Sequence, residues 1–292
     1  VAISSIALLT YIGQANDYLS STLTPLILGT TILAALGYID DHLSLGRRLR
    51  FGITIGTLAT CLYLLPLPPL QIGSATISTP WILYPALLIG AAWIINLFNF
   101  MDGIDGIATI EIIAVFSSAS LLLLISGSPE WALLLLLLTA PALTFLTWNY
   151  APAKIFLGDA GSYFWGTLIA LLAITTAALT NLNLWCWLIL FAVFIGDSTW
   201  TLITRITTGQ SWNTPHRSHA YQKLALKFKS HRPISLATAG ITIIWLTPLA
   251  YFSMTTPSYG VIFTLFAYLP LLYICKTSHA GTPEKLQRTE NT

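Results

Sequence analysis

The sequence predicts an all-α, polytopic membrane protein with about ten transmembrane helices. Of its 292 residues, 55% are hydrophobic and only 8% are charged, which is roughly a third of the charged share of a soluble domain. A soluble protein with so little charge would expose large apolar patches and aggregate. A membrane-spanning helix needs about 20 apolar residues, so the first of the ten apolar segments is clearly short and the second somewhat short. These segments cover residues 1–12, 24–39, 50–68, 81–98, 107–126, 130–147, 162–180, 184–204, 233–254 and 258–275.

The distribution of basic residues orients these segments. Ten crossings place five stretches on one side of the membrane, namely 40–50, 96–106, 148–161, 205–232 and 276–292. All thirteen Lys and Arg residues fall on that side. Because Lys and Arg are enriched in cytoplasmic loops, we expect it to be cytoplasmic, with one integral-membrane domain at 1–275 and a polar cytoplasmic tail at 276–292. The basic residues are Arg47, Arg48, Arg50, Lys154, Arg205, Arg217, Lys223, Lys227, Lys229, Arg232, Lys276, Lys285 and Arg288.

A row of polar side chains follows the fourth apolar segment. Asn96, Asn99, Asp102 and Asp105 recur at three-residue spacing, and such groups are costly at the end of a membrane helix unless they bind something. On an ideal helix this spacing would wind around to the far side over nine residues. The glycine after each aspartate favours a turn instead. We therefore expect Asp102 and Asp105 to converge on a site for a cation, a phosphate or both.

Two further acidic motifs lie on the same side. Asp40 and Asp41 end the second segment, and adjacent acids that repel each other are usually held by a divalent cation or basic partners; a solvated helix terminus is the alternative. Asp159 lies between glycines in the run 156–162, just before the seventh segment. Backbone N–H groups there could face phosphate, and the carboxylate could hold Mg²⁺. The alternative is a simple N-cap by Asp159.

The longest cytoplasmic loop contains Pro-His-Arg-Ser-His-Ala-Tyr-Gln at residues 215–222. A guanidinium and two imidazoles, on Arg217, His216 and His219, suit phosphate oxygens. Asp197 either pairs with Arg205, eight residues further on, or contributes to the site. His231 is expected to be an incidental interfacial residue. The basic residues form no patch interleaved with aromatic residues, so we expect no nucleic-acid partner.

Together these motifs resemble the polyprenyl-phosphate N-acetylhexosamine-1-phosphate transferase family, also called glycosyltransferase family 4. The resemblance covers roughly residues 1–235, and its most specific parts are 96–108 and 156–166. The loop 215–222 resembles the branch that starts bacterial O-antigen-type polymers and departs from the all-histidine loop of the peptidoglycan translocase.

The resemblance implies a reaction in the bacterial inner (cytoplasmic) membrane, with the active site facing the cytoplasm. UDP-N-acetylhexosamine and undecaprenyl phosphate would give a lipid-diphospho-sugar and UMP, with Mg²⁺, or alternatively Mn²⁺, as cofactor. This would be the first membrane step of cell-surface polysaccharide synthesis. The bilayer is the implied environment, and the chain could form a homodimer.

The resemblance also assigns roles to individual residues. Asp40 would orient or deprotonate the lipid phosphate, and Phe156 would stack on uracil. The implied catalytic residues are Asp40, Asp41, Asp102 and Asp105. The implied nucleotide-binding residues are Asn96, Asn99, Asp105 and Phe156. The implied phosphate-binding residues are His216, Arg217 and His219. The implied metal ligands are Asp41 and Asp159.

The chain departs from this family at its beginning. Members normally carry a further N-terminal span and a first cytoplasmic loop with a Pro-Thr-Pro-Arg-Gly-Gly-Gly-like stretch, which this sequence lacks. We therefore expect a shortened product or fragment, and a relic that binds UDP-sugar or lipid phosphate without turnover is one alternative. A peptidoglycan translocase is another. A transporter would place its acids deep within the spans, whereas here they gather at one interface.

Overall fold

A computed structural model describes residues 1–15, 17–211, 214 and 216–282. Each of the ten predicted apolar segments is largely helical, although the third is not helical over 65–68, and the prediction of an all-α membrane protein is confirmed. The helices are α1 (Ala2–Ala15), α2 (Asp17–Leu43), α3 (Arg47–Leu64), α4 (Pro80–Met101), α5 (Ile107–Ile125), α6 (Pro129–Asn149), α7 (Gly158–Leu179), α8 (Leu184–Leu190), α9 (Ala192–Thr207), α10 (Ala220–Phe228), α11 (Arg232–Ile241), α12 (Thr247–Thr255) and α13 (Gly260–Thr277).

Short elements complete the described chain. A π-helical turn, Thr242–Leu246, joins α11 to α12, and a 3₁₀ turn, Pro257–Tyr259, precedes α13. The strands β1 (Leu70–Ile72) and β2 (Ala75–Ile77) form an antiparallel hairpin in which Leu70 pairs with Ile77. The hairpin and α10 lie between the predicted spans, in segments that the sequence predicts only as loops.

Seven helical stretches in the described residues are long and apolar enough to cross a membrane, and the bent pair α8–α9 would be an eighth. The other two predicted segments form α1 and α3. With 14 residues, α1 is only about 21 Å long, which is shorter than a typical hydrocarbon core. Helix α3 is 18 residues long and begins with three arginines in its first four positions, so its start belongs at a polar surface.

Contacts between distant parts of the chain define the two ends of the bundle. At one end of the bundle Asp40 pairs with Arg50, and Asn99 contacts Asp159. We call this the basic end, because the described Lys and Arg residues lie in the loops and helix termini there. At the opposite end the Gln71 side chain donates to Ser258 Oγ over 2.8 Å, and Trp185 Nε1 donates to the Gln71 carbonyl over 2.7 Å.

The eighth predicted segment, 184–204, is broken. Helices α8 and α9 meet at Phe191 with an angle of 74° between them. Helix α8 begins at the opposite end, where Asn183 Nδ2 donates to the Ser253 carbonyl over 3.0 Å. Helix α9 ends at the basic end and has Arg205 in its last turn. The pair therefore still connects the two ends, but it bends on the way.

Helix α7 lies at the centre of the bundle, and most of its residues are buried. It packs against α2 and α4, and two glycines allow the close approach. A Cβ at Gly37 would lie 2.5 Å from the Asp159 carbonyl oxygen, and one at Gly166 would lie 2.8 Å from Ile95 Cα. These crossings fix the position of the α7 N-terminus relative to α2.

We expect Gly166→Ala to destabilise the protein by about 1–3 kcal/mol, because the added methyl group meets the backbone of α4 and forces two helices apart. Gly90→Ala is the matched control, since Gly90 is exposed on α4 and a Cβ there meets nothing within 4 Å. Thermal unfolding in detergent measures both. Equal melting temperatures for the two variants would contradict this account of the α4–α7 crossing.

Candidate functional site

The buried Asp40 side chain, near the C-terminal end of α2, forms an ion pair with the partly exposed Arg50. A carboxylate is unfavourable there because the end of a helix carries partial negative charge. Arg50, from the first turn of α3, compensates by donating to Asp40 Oδ2, and the Leu45 N–H donates to Oδ1 over 2.7 Å. Both oxygens of Asp40 therefore have donors, and the pair joins α2 to α3.

The Asp41 side chain caps the N-terminus of α7. Its two oxygens accept hydrogen bonds from the Asp159 and Ala160 N–H groups over 3.1 and 3.2 Å. Those N–H groups have no partner within their own helix, and the positive end of the helix favours an anion. Gly158 has φ +67, and a Cβ there would lie 3.2 Å from Asp41 Oδ2. The interaction therefore needs glycine at position 158.

Asp159 is not the N-cap of its own helix, which rules out the simple alternative reading of its motif. Its Oδ1 accepts from Asn99 Nδ2 over 2.6 Å, and its Oδ2 lies 3.9 Å from Arg50 Nη1. Asp159 is also close enough to Asp40 and Asp41 for their charges to interact. We call Asp40, Asp41 and Asp159 the carboxylate cluster, which gathers acids from α2 and α7 beside Asn99 and Arg50.

The carboxylate cluster suits a cation that takes other ligands from its substrate. Among the described residues, no group of three or more His, Cys, Asp or Glu side chains is arranged to hold a metal ion by itself. Mg²⁺ commonly uses only one or two protein carboxylates together with substrate phosphates. The oxygen chemistry of Asp41 and Asp159 fits that mode.

Asp105 has hydrogen-bond partners in the segment before α7, whereas Asp102 lies near Tyr221; that the two carboxylates converge on a cation or phosphate site stays a prediction. The row does stop being helical, as expected, with Gly106 at φ +74. Burial raises the pKa of the half-buried Asp102 carboxyl to about 7. The charges of Asp197 and Asp102 add to burial in raising the pKa of Tyr221.

Gly103 allows a distant side chain to occupy the turn after Asp102. The buried Tyr221 donates its hydroxyl to the Phe100 carbonyl over 2.9 Å, and a Cβ at Gly103 would lie 2.1 Å from that hydroxyl oxygen. The turn after Asp102 is therefore occupied by a side chain from α10, which no local sequence pattern indicates.

Asp105 links the loop after α4 to the segment before α7 and to the start of α11. Its Oδ2 accepts from the Ala153 N–H over 3.2 Å and lies 3.3 Å from His231 Nδ1. Its carbonyl accepts from Ser235 Oγ over 2.8 Å. His231 is therefore a partner of a predicted site residue and not incidental, and the loop after α4 is bound to the start of α11.

Asn96 and Phe156 have no described contact with the carboxylate cluster. The Asn96 side chain is exposed and donates to the Ala92 carbonyl of its own helix over 2.7 Å. Phe156 is 69% exposed in the segment before α7. Of the four predicted nucleotide-binding residues, only Asn99 touches the carboxylate cluster.

Asp197 organises the loop that carries the predicted phosphate ligands. Its carboxylate accepts from the Ala220 and Tyr221 N–H groups over 2.9 and 3.0 Å, at the start of α10. It also accepts from Thr201 Oγ1 over 3.0 Å and lies 3.3 Å from His219 Nδ1. The Asp197–Arg205 pair considered above does not form. Arg205 instead donates to Gln210, Ser211 and Thr214.

The three predicted phosphate ligands have different environments. We call residues 216–219 the phosphate loop; Pro215 lies outside the described residues. Arg217 is exposed, whereas the His219 side chain is only 3% exposed and faces Asp197. The His216 ring stacks on His219 with centroids 5.0 Å apart, and burial lowers its pKa to about 4. Near neutral pH, Arg217 therefore supplies positive charge, and His216 is a neutral hydrogen-bonding group.

Residues 23–177 match the family model described as glycosyl transferase family 4, which covers more than half of the chain. The protein belongs to glycosyl transferase family 4. The matched region contains the carboxylate cluster, Arg50 and Asn99, whereas Asp197 and the phosphate loop follow it.

Three relatives illustrate the range of similarity. A probable undecaprenyl-phosphate N-acetylglucosaminyl 1-phosphate transferase of Bacillus subtilis (strain 168) is 30% identical over 223 residues, covering 74% of this chain and 62% of the relative. A decaprenyl-phosphate N-acetylglucosaminephosphotransferase of Mycobacterium leprae (strain TN) is 25% identical, covering 81% and 65%. A phospho-N-acetylmuramoyl-pentapeptide-transferase of Thermotoga maritima is 31% identical, covering 56% and 57%. The chain thus spans under two thirds of these relatives.

The raised pKa of Asp102 predicts a pH-dependent difference in stability. A carboxyl whose pKa rises on folding stabilises the fold while protonated, so wild type should lose stability relative to Asp102→Asn as pH rises from about 4 to 7. Thermal unfolding across that range measures the difference, with Glu130→Gln, an exposed acid at the opposite end, as control. A pH-independent difference would contradict the burial of Asp102.

Proposed function

We propose that this protein transfers N-acetylhexosamine-1-phosphate from a UDP-linked donor to undecaprenyl phosphate, releasing UMP. The observation that carries the proposal is the carboxylate cluster with Arg50 and Asn99 at the basic end, in a chain of glycosyl transferase family 4. The names of two relatives specify undecaprenyl or decaprenyl phosphate, which supports a polyprenyl phosphate as acceptor.

The proposed chemistry needs little help from a general base. The second pKa of a phosphate monoester is near 6, so the lipid phosphate is already a dianion at neutral pH. Its oxygen attacks the phosphorus next to the sugar, and the bond from that phosphorus to UMP breaks as UMP leaves with the electron pair. Both reactants are anions, so the main task of the protein is to hold them together in line.

A divalent cation fits this task. We propose Asp41 and Asp159 as its protein ligands, with Mg²⁺ the expected ion and Mn²⁺ suited to the same oxygen donors. When bound, the ion would neutralise the diphosphate and stabilise the departing UMP. The Asn99 amide holds Asp159 Oδ1, which would fix the orientation of that ligand.

Asp40 is better suited to orienting a partner than to accepting a proton. Its oxygens already accept from Leu45 and Arg50, and a proton on Asp40 would remove the negative charge that holds the Arg50 guanidinium in place. Arg50 also approaches Asp159 Oδ2. We propose that Asp40 directs the Arg50 guanidinium, whose planar fork suits phosphate oxygens, toward the lipid phosphate.

The nucleotide would bind near the segment 150–157 and the loop after α4. Phe156 is exposed just before α7, where its ring could stack on uracil, and Asp105 is held against the same segment through Ala153. We propose Asp102 and Asn96 as further members of this subsite. Arg217 and His216 would contact the diphosphate from the phosphate loop.

The biological setting follows from the proposed reaction. Basic loops at the site end support a cytoplasmic active site in a bacterial inner membrane. The sequence of the phosphate loop favours an O-antigen-like polymer. The similarity to a phospho-N-acetylmuramoyl-pentapeptide-transferase makes peptidoglycan synthesis the second candidate.

A panel of donor substrates distinguishes synthesis of an O-antigen-like polymer from peptidoglycan synthesis. Membranes containing the protein are incubated with undecaprenyl phosphate, Mg²⁺ and one radiolabelled donor at a time, either a UDP-N-acetylhexosamine or UDP-N-acetylmuramoyl-pentapeptide. We expect lipid-linked product from a UDP-N-acetylhexosamine and none from the pentapeptide. Product from the pentapeptide alone would favour the second candidate. Binding of UDP-sugar without product from any donor would leave a binding protein without turnover.

Asp159→Asn is the sharpest test of the carboxylate cluster. We expect turnover to fall by about 10²–10³-fold, because the variant removes charge where the cation is proposed to bind. The folding of the protein should change little, since the half-exposed side chain keeps an oxygen that can accept from Asn99. The radiolabel assay and thermal unfolding measure the two effects, with Glu130→Gln as control. Turnover equal to wild type would remove Asp159 from the proposed site.

A further inference from the structure

The segment that follows α13 packs against the phosphate loop. We call residues 278–282 the C-terminal turn. The Gly281 N–H donates to the Ser218 carbonyl over 2.8 Å, and Ser218 lies between Arg217 and His219. Lys223 on α10 donates from Nζ to the His279 carbonyl. Although 276–292 reads as a polar tail in the sequence, its first part is bound to the site.

The fit of the C-terminal turn is close. Gly281 has φ +77, and a Cβ there would lie 2.7 Å from both the Thr201 carbonyl oxygen and Thr204 Cβ on α9. Ala280 is 1% exposed and packs with Ala220 and Cys275. Only glycine combines this left-handed backbone with this approach at low cost.

A chain of polar contacts leads from α9 through the C-terminal turn to the phosphate loop. Arg205 Nη1 donates to Gln210 Oε1 over 3.2 Å, and Gln210 Nε2 donates to the Gly281 carbonyl over 2.7 Å. Gly281 then donates to Ser218. The Ser218 hydroxyl in turn lies 3.0 Å from His216 Nδ1, so the chain ends on a proposed phosphate ligand.

Two independent supports therefore hold the phosphate loop. Asp197 fixes its C-terminal side through the N–H groups of Ala220 and Tyr221, and the C-terminal turn fixes its middle. Without the second support, the backbone between His216 and His219 would keep its anchor on α10 but lose the contact that sets Ser218. The directions of the Arg217 and His216 side chains depend on that backbone.

We propose that the C-terminal turn, through Gly281, positions the phosphate loop for binding the diphosphate of the donor. The proposal rests on the proposed function and adds a segment outside the region matched to the family model. Gly281 is a positioning residue, because it acts on the substrate through Ser218, His216 and Arg217 and not by direct contact.

Gly281→Ala tests the proposal in the full chain. We expect the KM for the UDP-sugar to rise roughly tenfold, because both the left-handed backbone and the contact with α9 oppose a Cβ at this position. The KM for undecaprenyl phosphate, kcat and the melting temperature should stay close to wild type, because the C-terminal turn can detach from α9 without forcing two membrane helices apart, unlike the methyl group added in Gly166→Ala. Gly73→Ala is the matched control, since Gly73 has φ +59 in the hairpin at the opposite end and a Cβ there meets nothing within 4 Å.

Truncations and a second substitution sharpen the test. Ending the chain after Thr282 should leave the KM unchanged, and ending it after Thr277 should reproduce the effect of Gly281→Ala. Gln210→Ala should raise the KM for the UDP-sugar in the full chain. In the chain that ends after Thr277 it should have no further effect, because the Gly281 carbonyl that Gln210 contacts is already absent. An unchanged KM for the UDP-sugar in Gly281→Ala would overturn the proposal. So would a fall in kcat accompanied by a lower melting temperature, because the variant would then damage the whole fold.

Trypsin cleavage after the exposed Arg217 tests the contact between the C-terminal turn and the phosphate loop without requiring enzyme activity. Mass spectrometry identifies the cleavage site. We expect faster cleavage in Gly281→Ala than in Gly73→Ala. If wild type made no product with any donor, the proposed function would be wrong, and the cleavage rates would still decide whether the C-terminal turn holds the loop. Equal rates in the two variants would mean that it does not.

Discussion

The capping of α7 by Asp41 is the interaction on which the site depends. A carboxylate from α2 satisfies the N–H groups that begin α7, and the positive end of that helix compensates for its charge. The close crossing at Gly37 and the left-handed backbone of Gly158 make the contact possible. Because Asp41 provides the cap, the Asp159 side chain is free to face Asn99 and Arg50 instead of its own backbone.

The charge balance of the carboxylate cluster favours cation binding before anion binding. Within the described site, three carboxylates face one guanidinium, and that guanidinium is already paired with Asp40. A diphosphate approaching this arrangement alone would meet a net negative field. A divalent cation would reverse that field locally and give the diphosphate a partner. The phosphate loop, by contrast, offers Arg217 and a neutral His216, which need no cation.

The sequence predicted the membrane architecture well, because the bilayer imposes rules that are local in sequence. Apolar composition and segment length predict where the ten helical segments lie, although among the described residues only seven of them, or eight with the bent pair α8–α9, are long and apolar enough to span a membrane. The bend at Phe191 has no signal in the composition. The pairings within the site were less accessible, since they join distant parts of the chain. Tyr221, more than a hundred residues away, occupies the turn between Asp102 and Asp105, and no spacing in the sequence indicates it. The spacing of Asp197 to Arg205 suggests a pair between them, whereas the observed partners of Asp197 on α10 leave no local pattern in the sequence.

The end of α4 connects the two parts of the site. Asn99 holds Asp159 of the carboxylate cluster, and the carbonyl of the next residue, Phe100, accepts from Tyr221 on α10. Tyr221 is also held by Asp197, which sets the phosphate loop. A displacement of this single turn of helix would therefore move the proposed cation ligands and the proposed diphosphate ligands together. Two substrates that both carry negative charge must be aligned to within a fraction of an ångström for an in-line transfer. A short, rigid connection through consecutive residues of one helix provides that alignment more reliably than two independently mobile loops.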